Sequence, residues 1–587
     1  MSLQLKAGQH SMAGRQFINQ DFADFSLPSA GLLRDKGAVF AIADGIGSSQ
    51  VSQLASETAV RSFILDYFAT NPAWSVPHAA LQVLKACHRW LYQQNKHSSY
   101  GQNPDKGYCC TFSALVLRQQ QAHWIHLGDC RIYLYRNAQL SQLTRDQRSW
   151  QAGQQLLSQA LGAGPEIVPE QQQLSLCAGD CFLLASDGLF DFISQPALAT
   201  LLASVTASAD LDQLAQQLAN TALANGSDDN ISVQLVQVLA VPAQSQLPGG
   251  LLASAQLPDG LLPGSLDARL PLPPLLQSGS VLDGMTVQRV LSQTNRSHLY
   301  LVALPDGTPA VLKAPSQTLA NDDLYLEKLL REEWIARRVH SPYVLRAAQP
   351  DSGAQAMAPR SAIYSLFAYI EGQTLAQWRL QQATPDLQQV LGIIEQTGKA
   401  LQALHRAEIL HQDIRPQNVM LDAQGQVCVI DFGAARLAGL QSDQEVAGDI
   451  PGTALFTAPE YFTGQAGSCQ SDLYSLAALC YYLLTGQSPY GPDIARCKNL
   501  PAQQRLSYQP IVGRHNDWPQ WLDLTLQKAL QVDPAKRYQH LSEFLYDLRQ
   551  PNPLLGRELT LQAAYPLRLW QCLCYLQALL ILWLLVV

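Results

Sequence analysis

The 587-residue sequence is poor in charge and has no run of positive residues. Charged residues make up 15% of the chain, below the usual value of about 25%, and glutamine fills many of the other polar positions. The 39 Lys and Arg against 47 Asp and Glu leave a formal net charge of −8. This pattern argues against nucleic acid as a partner, because proteins that bind it carry basic patches. The hydrophobic fraction of 47% excludes a disordered or collagen-like chain.

The sequence also lacks the cysteine density and spacing of a disulfide framework or a zinc site. Twelve cysteines are spread over the chain, and the close pairs Cys109/Cys110 and Cys572/Cys574 do not have the spacing of zinc ligands. Most of the others lie inside apolar strings, such as the LCY string at Cys480. We therefore expect reduced, buried thiols in a cytosolic compartment.

The beginning of the sequence has no apolar core long enough for a secretory signal, but its end is apolar. Leu569–Val587 is nineteen residues without a charge, which rise about 28 Å as a helix, close to the roughly 30 Å hydrocarbon thickness of a bilayer. We expect a single-pass transmembrane anchor here. Arg557 and Arg568 precede it, so the positive-inside rule places the long N-terminal part in the cytoplasm. Gln571 and Gln577 leave one alternative open, a final helix buried in a domain core.

A stretch rich in proline and glycine divides the chain. Residues 241–280 contain the strings LPGG, LPDG, LPGS and PLPP, with hardly a charge and no helical or strand period. Proline and glycine at this density stop regular structure, so the stretch is predicted to be an extended linker. It separates two domains, residues 1–240 and 281–550, each long enough for a sizeable core. Residues 551–568 would form a juxtamembrane segment, and no repeat relates the two domains.

The first domain is predicted to combine strands and helices. Short β-rich runs end in turn residues: GAVFAIADG, TFSALVL, AHWIHLGD, RIYLY, CFLLASDG and NISVQLVQV. Apolar residues recur at helical spacing in 50–69, 79–95, 196–202 and 211–225. Runs of strands interrupted by paired helices favour an α+β fold in which helices pack over an antiparallel sandwich.

Five aspartates of the first domain have the positions expected of a metal site. Four of them have an apolar strand and a small residue beside them, and the fifth stands in the string INQDF near the start. In chain order they are Asp21, Asp44, Asp129, Asp187 and Asp229. One Asp-Gly pair alone is more often simply a turn. Five carboxylates in this order instead predict an oxygen-ligand site for Mg²⁺ or Mn²⁺, which needs no His or Cys.

These strings resemble the PPM-type metal-dependent serine/threonine protein phosphatases over about residues 8–238. The motifs D-G-x-G, G-D-C-R, L-T-R-D, S-D-G-L and D-D-N-I-S occur in the order and at the spacing of that family. The resemblance implies an αββα sandwich that removes phosphate from phosphoserine and phosphothreonine in proteins. Two ions about 4 Å apart would activate a bridging water and hold the phosphate oxygens, so no covalent intermediate is needed.

The resemblance also implies which groups hold the two ions. Asp44 would bridge them, and the Gly45 carbonyl would bind one of them. Asp187 and Asp229 would complete the first ion, and Asp21 would act on the second through water.

The same resemblance places weaker elements at the edge of the site. Asp129 would bind a third, weaker ion. The family's phosphate-binding arginine stands three residues before the Asn of its N-x-D motif, where this sequence has Gln16, so we expect the neighbouring Arg15 to take that role. Gln20 replaces a glutamate before the first aspartate, which removes one charge near the second ion. We expect an active phosphatase despite these departures.

The second domain changes from strands to helices after Ala376, which predicts a small β lobe followed by a larger α lobe. It contains, in order, HQDIRPQN at 411–418, CVIDFGAAR at 428–436, GTALFTAPE at 452–460 and SDLYSLA at 471–477. This series is specific, and over about residues 285–548 the domain resembles the eukaryotic-like serine/threonine protein kinases. The resemblance implies a bilobal fold in which an ion pair between Glu460 and Arg537 braces the large lobe.

The kinase resemblance implies a site for ATP. Lys313 matches the third-strand lysine that holds the α- and β-phosphates. Glu332 best fits its partner on the following helix, with the adjacent Glu333 as the alternative. Phe367 to Ile370 would form the hinge that contacts the adenine.

The resemblance further implies a catalytic loop with bound magnesium. Asp413 matches the base that accepts the proton of the substrate hydroxyl. Asn418 and Asp431 match the magnesium ligands. Arg415 stands where the family has a lysine near the γ-phosphate and can serve as the cation there.

One expected kinase element is missing. Where G-x-G-x-x-G should join the first two strands, the sequence reads LSQTNRSHLYL, and side chains there should weaken the binding of phosphates.

Two interpretations of the whole chain stand. One is a bifunctional, membrane-anchored phosphatase and kinase that uses ATP and acts on proteins; the other is an active phosphatase with a pseudokinase as a nucleotide-sensing or scaffold module. A third, with both domains inactive, requires intact metal and ATP sites to have no use.

Overall fold

The computed structural model describes most of the chain. The described residues are 2–151, 154–205, 208–242, 270–349, 358–382, 384–437, 455–491, 494, 497, 499–503, 505–512, 518–555 and 577. Apart from Gln577, the predicted transmembrane segment 569–587 lies outside them. No helix among the described residues is long and apolar enough to cross a membrane.

The described chain divides into two compact units. The first comprises residues up to 338 together with 346–369 and 437. The second comprises 339–345, 370–436 and the described residues from 455 onward.

Residues 2–242 of the first unit form a mixed α/β domain. Its described strands are β1 (Gln4–Met12), β2 (Phe22–Ser26), β3 (Ala38–Ala43), β4 (Phe112–Arg118), β5 (Gln121–Leu127), β6 (Arg131–Arg136), β7 (Gln139–Gln142), β8 (Arg148–Gln151), β9 (Gln154–Leu157), β10 (Glu170–Ser175), β11 (Cys181–Ala185) and β12 (Ile231–Ala240). Its helices are α1 (Ala30–Asp35), α2 (Ser52–Ala69), α3 (Val76–His97), α4 (Asp187–Phe190), α5 (Gln195–Leu202) and α6 (Leu211–Ala224). The four predicted helical ranges correspond to α2, α3, α5 and α6, because apolar residues at helical spacing give each helix a face to bury.

The strands of this domain form two antiparallel sheets. One has the order β1-β12-β11-β6-β7 and the other the order β10-β5-β4-β3-β2, while β8 and β9 pair with each other. The two sheets pack face to face through a buried core that includes Phe40, Leu115, Phe182 and Val236. Helices α2 and α3 pack on the second sheet, and α4 to α6 pack on the first. The layers are therefore helix, sheet, sheet, helix, as expected for the sandwich.

The first unit also contains a third five-stranded antiparallel sheet. Its strands, in spatial order, are β13 (Val281–Leu282), β14 (Met285–Gln293), β15 (Ser297–Ala303), β16 (Pro309–Pro315) and β17 (Ser365–Ala368), and helix α7 (Asp323–Arg338) follows β16. Residues 270–280, the end of the predicted linker, pack on this sheet. Leu276 is 3% exposed in its core, and the Ile363 N–H donates to Pro271 O at 3.0 Å. Residues 243–269 of that linker lie outside the described residues.

From Ile370 onward the described chain is mainly helical, as predicted. The strands are β18 (Gly372–Thr374), β19 (Ile409–Leu410), β20 (Val419–Asp422), β21 (Val427–Val429) and β22 (Arg436–Leu437). The helices are α8 (Leu375–Gln381), α9 (Leu387–Arg406), α10 (Cys469–Thr485), α11 (Leu500–Gln503), α12 (Gln520–Ala529) and α13 (Leu541–Asp547). Helix α9 begins at Asp386, whose carboxylate accepts from the Gln389 N–H. Helix α10 is apolar on all sides and is accordingly almost entirely buried.

Candidate active sites

Two of the five aspartates lie together at one end of a sheet. Strands β2 and β3 pair with Phe22 opposite Ala43, so Asp21, just before β2, lies beside Asp44, just after β3. The Asp44 backbone is fixed by Thr111, whose hydroxyl accepts from the Asp44 N–H at 3.0 Å and whose own N–H donates to Asp44 O at 2.8 Å. The antiparallel register therefore brings together two carboxylates that are 23 residues apart in the sequence.

Two further aspartates come from the other sheet. Asp187 begins α4 directly after β11, and Asp229 precedes β12, which pairs with β11. Ser186 connects the two pairs, because its hydroxyl donates to Asp21 Oδ2 at 2.7 Å. The ends of four strands thus bring four aspartates close together. We call them the acidic region: Asp21, Asp44, Asp187 and Asp229.

The acidic region holds negative charge with little compensation. Burial raises the pKa of Asp44 well above its usual value, and the charges of Asp21 and Asp187 raise it further. Burial, followed by the charges of Asp129 and Asp229, raises the pKa of Asp187 to about 7. Asp21 Oδ1 is buried and has no hydrogen-bond partner among the described residues.

The chemistry of this region fits a hard divalent cation. Every candidate ligand is an oxygen, the donor type that Mg²⁺ and Mn²⁺ prefer. A cation would neutralise the repulsion that raises the pKa values of Asp44 and Asp187, and it would give the orphaned Asp21 oxygen a favourable charge. Among the described residues, no group of three or more Asp, Glu, His or Cys side chains is arranged so that it could hold a metal ion.

Asp129 is paired with a cation that the sequence analysis did not identify. Arg148, on β8, lies with Nη2 2.8 Å from Asp129 Oδ2 and 3.6 Å from Asp187 Oδ2. Arg148 Nε also donates to Asp129 Oδ2 at 2.8 Å. The expected third-ion ligand is therefore already in a salt bridge. The sequence around Arg148 does not mark it as the partner of Asp129 any more than it marks Arg145 of the L-T-R-D motif. The ion pair with Asp129 forms only because the fold brings β8 close to the ends of the other strands.

The residues expected at the edge of this site differ in how firmly they are held. Arg15 is exposed on the loop after β1, whereas Gln16 beside it donates from Nε2 to Asp228 O at 2.8 Å. Gly45 is required by packing, because an added Cβ would lie 2.8 Å from Gln20 O. These contacts do not test the expected roles of the Gly45 carbonyl in binding an ion and of the Arg15 guanidinium in binding phosphate.

In the β lobe, Lys313 on β16 forms an ion pair with Glu332 on α7. Lys313 Nζ donates to the two carboxylate oxygens of Glu332 at 2.9 and 2.7 Å. The alternative, Glu333, instead contacts Arg337 and Arg360, at 2.6 and 2.7 Å. The two adjacent glutamates thus have separate partners, and only Glu332 orients the lysine.

The expected adenine hinge follows β17. Phe367 lies within that strand, opposite Val311, and its side chain is buried. The Ala368 N–H donates to Arg346 O at 2.9 Å. Ile370 follows the strand and is partly buried.

A short polar turn joins β14 and β15, where a glycine-rich loop would lie in a kinase. The Thr294 N–H donates to Ser297 O at 3.0 Å, and the Ser297 N–H returns a hydrogen bond to Thr294 Oγ1 at 3.1 Å. The hydroxyl of Tyr325, on α7, donates to Arg296 O at 2.8 Å. Side chains therefore close this turn and attach it to α7.

In the α lobe, Asp413 and Asn418 are joined directly. Asn418 Nδ2 donates to Asp413 O at 2.9 Å and to Asp413 Oδ2 at 2.7 Å. Arg415 Nε lies 3.3 Å from the same Oδ2. Burial raises the pKa of Asp413, an effect that Arg415 opposes.

Asp431 lies next to this pair. The N–H of Ile430, the residue before it, donates to Asn418 O at 2.8 Å, and the Gly433 N–H donates to Asp431 Oδ1 at 3.4 Å. Asp431 has a positive φ of 66°, a left-handed conformation that Asp adopts more readily than most residues. The fold thus brings Asp413, Asn418 and Asp431 into one group.

Asp472, for which the sequence predicted no role, holds the loop that leads to Asp413. Its carboxylate accepts from the His411 and Gln412 N–H groups, each at 2.9 Å. It also lies 2.8 Å from His405 Nε2. Gln412 has a positive φ of 64°, so these hydrogen bonds stabilise a strained backbone just before Asp413.

Glu460 and Arg537 form a buried bidentate ion pair. Arg537 Nη1 and Nη2 donate to Glu460 Oε1 and Oε2 at 2.8 and 2.7 Å. Ser471 Oγ also donates to Glu460 Oε1, at 2.7 Å. Burial alone would raise the pKa of Glu460, but Arg537 lowers it below its usual value.

Comparison with known proteins finds similarity to two families, each over a separate part of the chain. A family model described as Protein phosphatase 2C matches residues 10–223, and one described as Protein kinase domain matches residues 297–545. The probable serine/threonine-protein kinase PknB of Bifidobacterium longum is 31% identical over 254 residues, which are 41% of this chain and 36% of that protein. The serine/threonine-protein kinase PknB of Mycobacterium leprae is 30% identical over 232 residues, 39% of this chain and 36% of that protein. The chain thus spans about a third of the length of the curated relatives it matches.

Solved structures are similar to the chain over less than half of its length. The S. agalactiae serine/threonine phosphatase is 24% identical, with a TM-score of 0.35, over 40% of this chain and 100% of that one. The Mycobacterium tuberculosis serine/threonine phosphatase PstP/Ppp is 23% identical, with a TM-score of 0.34, over 40% and 99%.

Proposed function

We propose that this chain, which joins a domain of the protein phosphatase 2C type to a serine/threonine protein kinase domain, is an enzyme with two opposed activities. One removes phosphate from phosphoserine and phosphothreonine in proteins, and the other transfers phosphate from ATP to serine and threonine. The observation that carries the proposal is that each domain has its own reactive side chains. One domain has the acidic region, and the other has the Lys313–Glu332 pair and, separately, the Asp413–Asn418 pair.

In the phosphatase reaction, the acidic region would hold Mg²⁺ or Mn²⁺. Asp44, Asp187 and Asp229, with the Gly45 carbonyl, would bind the ions, and Asp21 would orient a water bound to one of them. Bound ions would supply an activated water and charge stabilisation on the phosphate. Ser186 hydrogen-bonds the Asp21 carboxylate, and Thr111 hydrogen-bonds the Asp44 backbone, so these two residues are held in place by the protein itself. Arg15 would bind the substrate phosphate.

In the kinase reaction, Asp413 would accept the proton of the substrate hydroxyl. The hydrogen bond that Asn418 donates to Asp413 fixes the Asp413 carboxylate. Arg415, which lies beside that carboxylate, would bind the transferred phosphate. Asn418 and Asp431 would hold magnesium with ATP. Lys313, oriented by Glu332, would bind the α- and β-phosphates, and residues 367–370 would contact the adenine.

A second candidate function has one specific observation in its favour. The polar turn at 294–296 has no glycine, and the amides of Arg296 and Ser297 both donate to Thr294 Oγ1 instead of facing a phosphate. A pseudokinase that senses nucleotide or serves as a scaffold for the phosphatase would tolerate such a turn.

Labelled ATP and a phosphopeptide test both activities on the full chain. We expect transfer of label to a protein substrate with Mg²⁺, lost in Asp413→Asn, and phosphopeptide hydrolysis with Mn²⁺, lost in Asp44→Asn. Each variant should keep the other activity, which makes it the control for the folding of the chain. Absence of transfer in the unaltered chain, with ATP binding retained, would favour the pseudokinase instead.

The apolar segment at 569–587 supports a further proposal, a membrane anchor with the two domains on the cytoplasmic side. Its length and the preceding Arg557 and Arg568 support it. Deletion of residues 567–587 should move the protein from the membrane fraction to the supernatant with both activities retained. Aggregation of the truncated protein would favour a buried helix.

A further inference from the structure

The β lobe of the kinase domain is not alone in covering helix α7. Four residues of α7 lie on one side of the helix, because they are four, three and four residues apart: Glu327, Arg331, Trp334 and Arg338. We call this side the stripe. Residues Asp66 to His78 of the phosphatase domain, at the end of α2 and the start of α3, lie against this stripe. We call residues 66–78 the docking corner.

The centre of this contact is aromatic. Trp74 of the docking corner meets Trp334 of α7 edge to face, with ring centroids 5.4 Å apart. Both indole side chains are almost completely buried. His78 packs on Trp74 in turn, with ring centroids 5.0 Å apart.

A charged network surrounds the aromatic pair. Asp66 Oδ2 lies 3.2 Å from Arg338 Nε. Asn71 Nδ2 donates to Glu333 Oε2 at 2.9 Å, and Asn71 Oδ1 accepts from Arg360 Nη1 at 3.1 Å. Asn71 therefore completes the hydrogen bonding of a buried carboxylate and a buried guanidinium that both belong to the kinase β lobe.

The buried Glu333 depends on these partners. Burial alone would raise its pKa, but Arg360 and Arg337 lower it below the usual value, so the carboxylate stays ionised. It also accepts from the Leu366 N–H of β17 at 3.1 Å. Within the docking corner, the position of Asn71 is set by Lys36, whose Nζ donates to Asn71 O at 3.1 Å.

The stripe and Glu332 lie on different sides of α7. At 100° per residue, Glu332 is roughly 130° around the helix from the centre of the stripe, so one side meets the docking corner while the other reaches Lys313. We infer that the phosphatase domain acts as a docking partner of α7 and holds this helix in the position where Glu332 binds Lys313. Kinase competence then depends on the attached phosphatase domain, independently of phosphatase catalysis.

Charge reversal in the full chain tests this inference. Asp66→Arg and Arg338→Asp should each speed amide hydrogen exchange in α7 by about fivefold, and the double variant should restore it. The rate at which acetic anhydride modifies Lys313 should rise in the single variants and fall back in the double one. Asn71→Ala, which leaves the aromatic pair in place, should act in the same direction as the single reversals. Glu57→Arg is the matched control, because Glu57 lies on α2, as Asp66 does. The ion pair of Glu57 is with Arg61 of the same helix, so its charge reversal does not affect the contact with α7.

Unchanged α7 exchange and unchanged Lys313 modification in Asp66→Arg and Asn71→Ala would overturn the inference. Neither readout requires kinase activity, although the consequence for catalysis rests on the proposed kinase function. If the unaltered chain transfers no phosphate while α7 still responds, the docking stands and the kinase proposal fails. If the unaltered chain transfers phosphate and α7 does not respond to the substitutions, the kinase proposal stands and the docking inference fails.

Discussion

The side-chain amide of Gln412 donates a hydrogen bond to the hydroxyl of Tyr461 at 3.0 Å. Gln412 is the residue before the proposed catalytic Asp413, where kinases gated by loop phosphorylation carry an arginine that pairs with the phosphate. A neutral amide cannot form such a charge-assisted pair. The backbone of Gln412 is held by Asp472 and its side chain by Tyr461, so the residue before Asp413 is held in place without a phosphate.

Kinase turnover should therefore not require phosphate on the activation segment. Ser442, the plausible phosphosite, lies outside the described residues in a stretch with Asp443 and Glu445, whose charges would repel a phosphate. Ser442→Ala should change the rate of peptide phosphorylation by about twofold at most, less than about 0.5 kcal/mol in the barrier. Tyr461→Phe, which removes the partner of Gln412, should lower it more. A loss of about tenfold in Ser442→Ala would show phosphate gating despite Gln412.

Phosphatase activity should depend more on Asp44 than on Asp129. Asp44→Asn should lower hydrolysis of a phosphopeptide by about 100-fold or more, because it would remove a ligand shared by two ions. Asp129→Asn should lower it by about tenfold or less, because that carboxylate already has Arg148 as its partner. The measurement is the rate against Mn²⁺ concentration. Equal losses would contradict the assignment of Asp44 as the bridging ligand.

Arg148→Ala provides the complementary comparison. Without the guanidinium, Asp129 is left with an unpaired negative charge near Asp187. The apparent affinity for Mn²⁺ should then rise, and binding of an anionic substrate should weaken, so the two constants should move in opposite directions. Arg145→Ala is the control, since this neighbouring arginine is exposed and forms no ion pair with either aspartate in the part of the chain that is described.

Much of the fold and of both sites follows from local sequence pattern. Strand β3 is the continuous apolar string AVFAIA, and all of it is buried. The aspartate that follows therefore lies where the buried strand ends. Likewise, helical spacing located α2 and α6, whose apolar faces pack on the sheets. These features depend on neighbours within a few residues, so the sequence is sufficient to predict them.

The residues that the sequence analysis missed act over long distances in the chain. Arg148 reaches Asp187, Asp472 reaches His411, and Asn71 reaches Glu333, which is 262 residues away. An arginine, an aspartate and an asparagine have many possible partners, and only the packing of strands and helices selects one. The sequence alone therefore predicts the reactive residues better than the residues that hold them in place.

The buried pair of Glu460 and Arg537 should contribute strongly to the stability of the α lobe. Arg537→Met leaves the Glu460 carboxylate buried without its cation, which should cost about 3–5 kcal/mol of unfolding free energy. Arg549→Ala is the matched control, because its ion pair with Glu395 is on the surface and should contribute less than about 1 kcal/mol. Denaturant unfolding of the full chain, followed in the α lobe by hydrogen exchange, measures both. Similar losses in the two variants would contradict the buried-pair assignment.

The pair of His405 and Asp472 should make the stability of the α lobe depend on pH. Burial alone would lower the pKa of His405, but the hydrogen bond and charge of Asp472 raise it from 6.5 to about 10. A group whose pKa is raised on folding stabilises the folded state fully below its unfolded pKa. The contribution is lost as the pH rises from about 6.5 to about 10, as His405 releases its proton in the folded state.

His405→Gln should therefore destabilise the α lobe most near pH 6, and its effect should decrease steadily toward pH 10. Taking the difference from the unaltered chain at each pH removes the titration of all other groups. His88 of the phosphatase domain is the opposite control. Burial lowers its pKa to about 4, so its neutral form stabilises the folded state above pH 6.5 and that stability is lost as the pH falls toward 4. The destabilisation in His88→Gln should accordingly grow with pH while that in His405→Gln shrinks, and parallel trends in the two variants would mean that His405 is not charged in the folded protein.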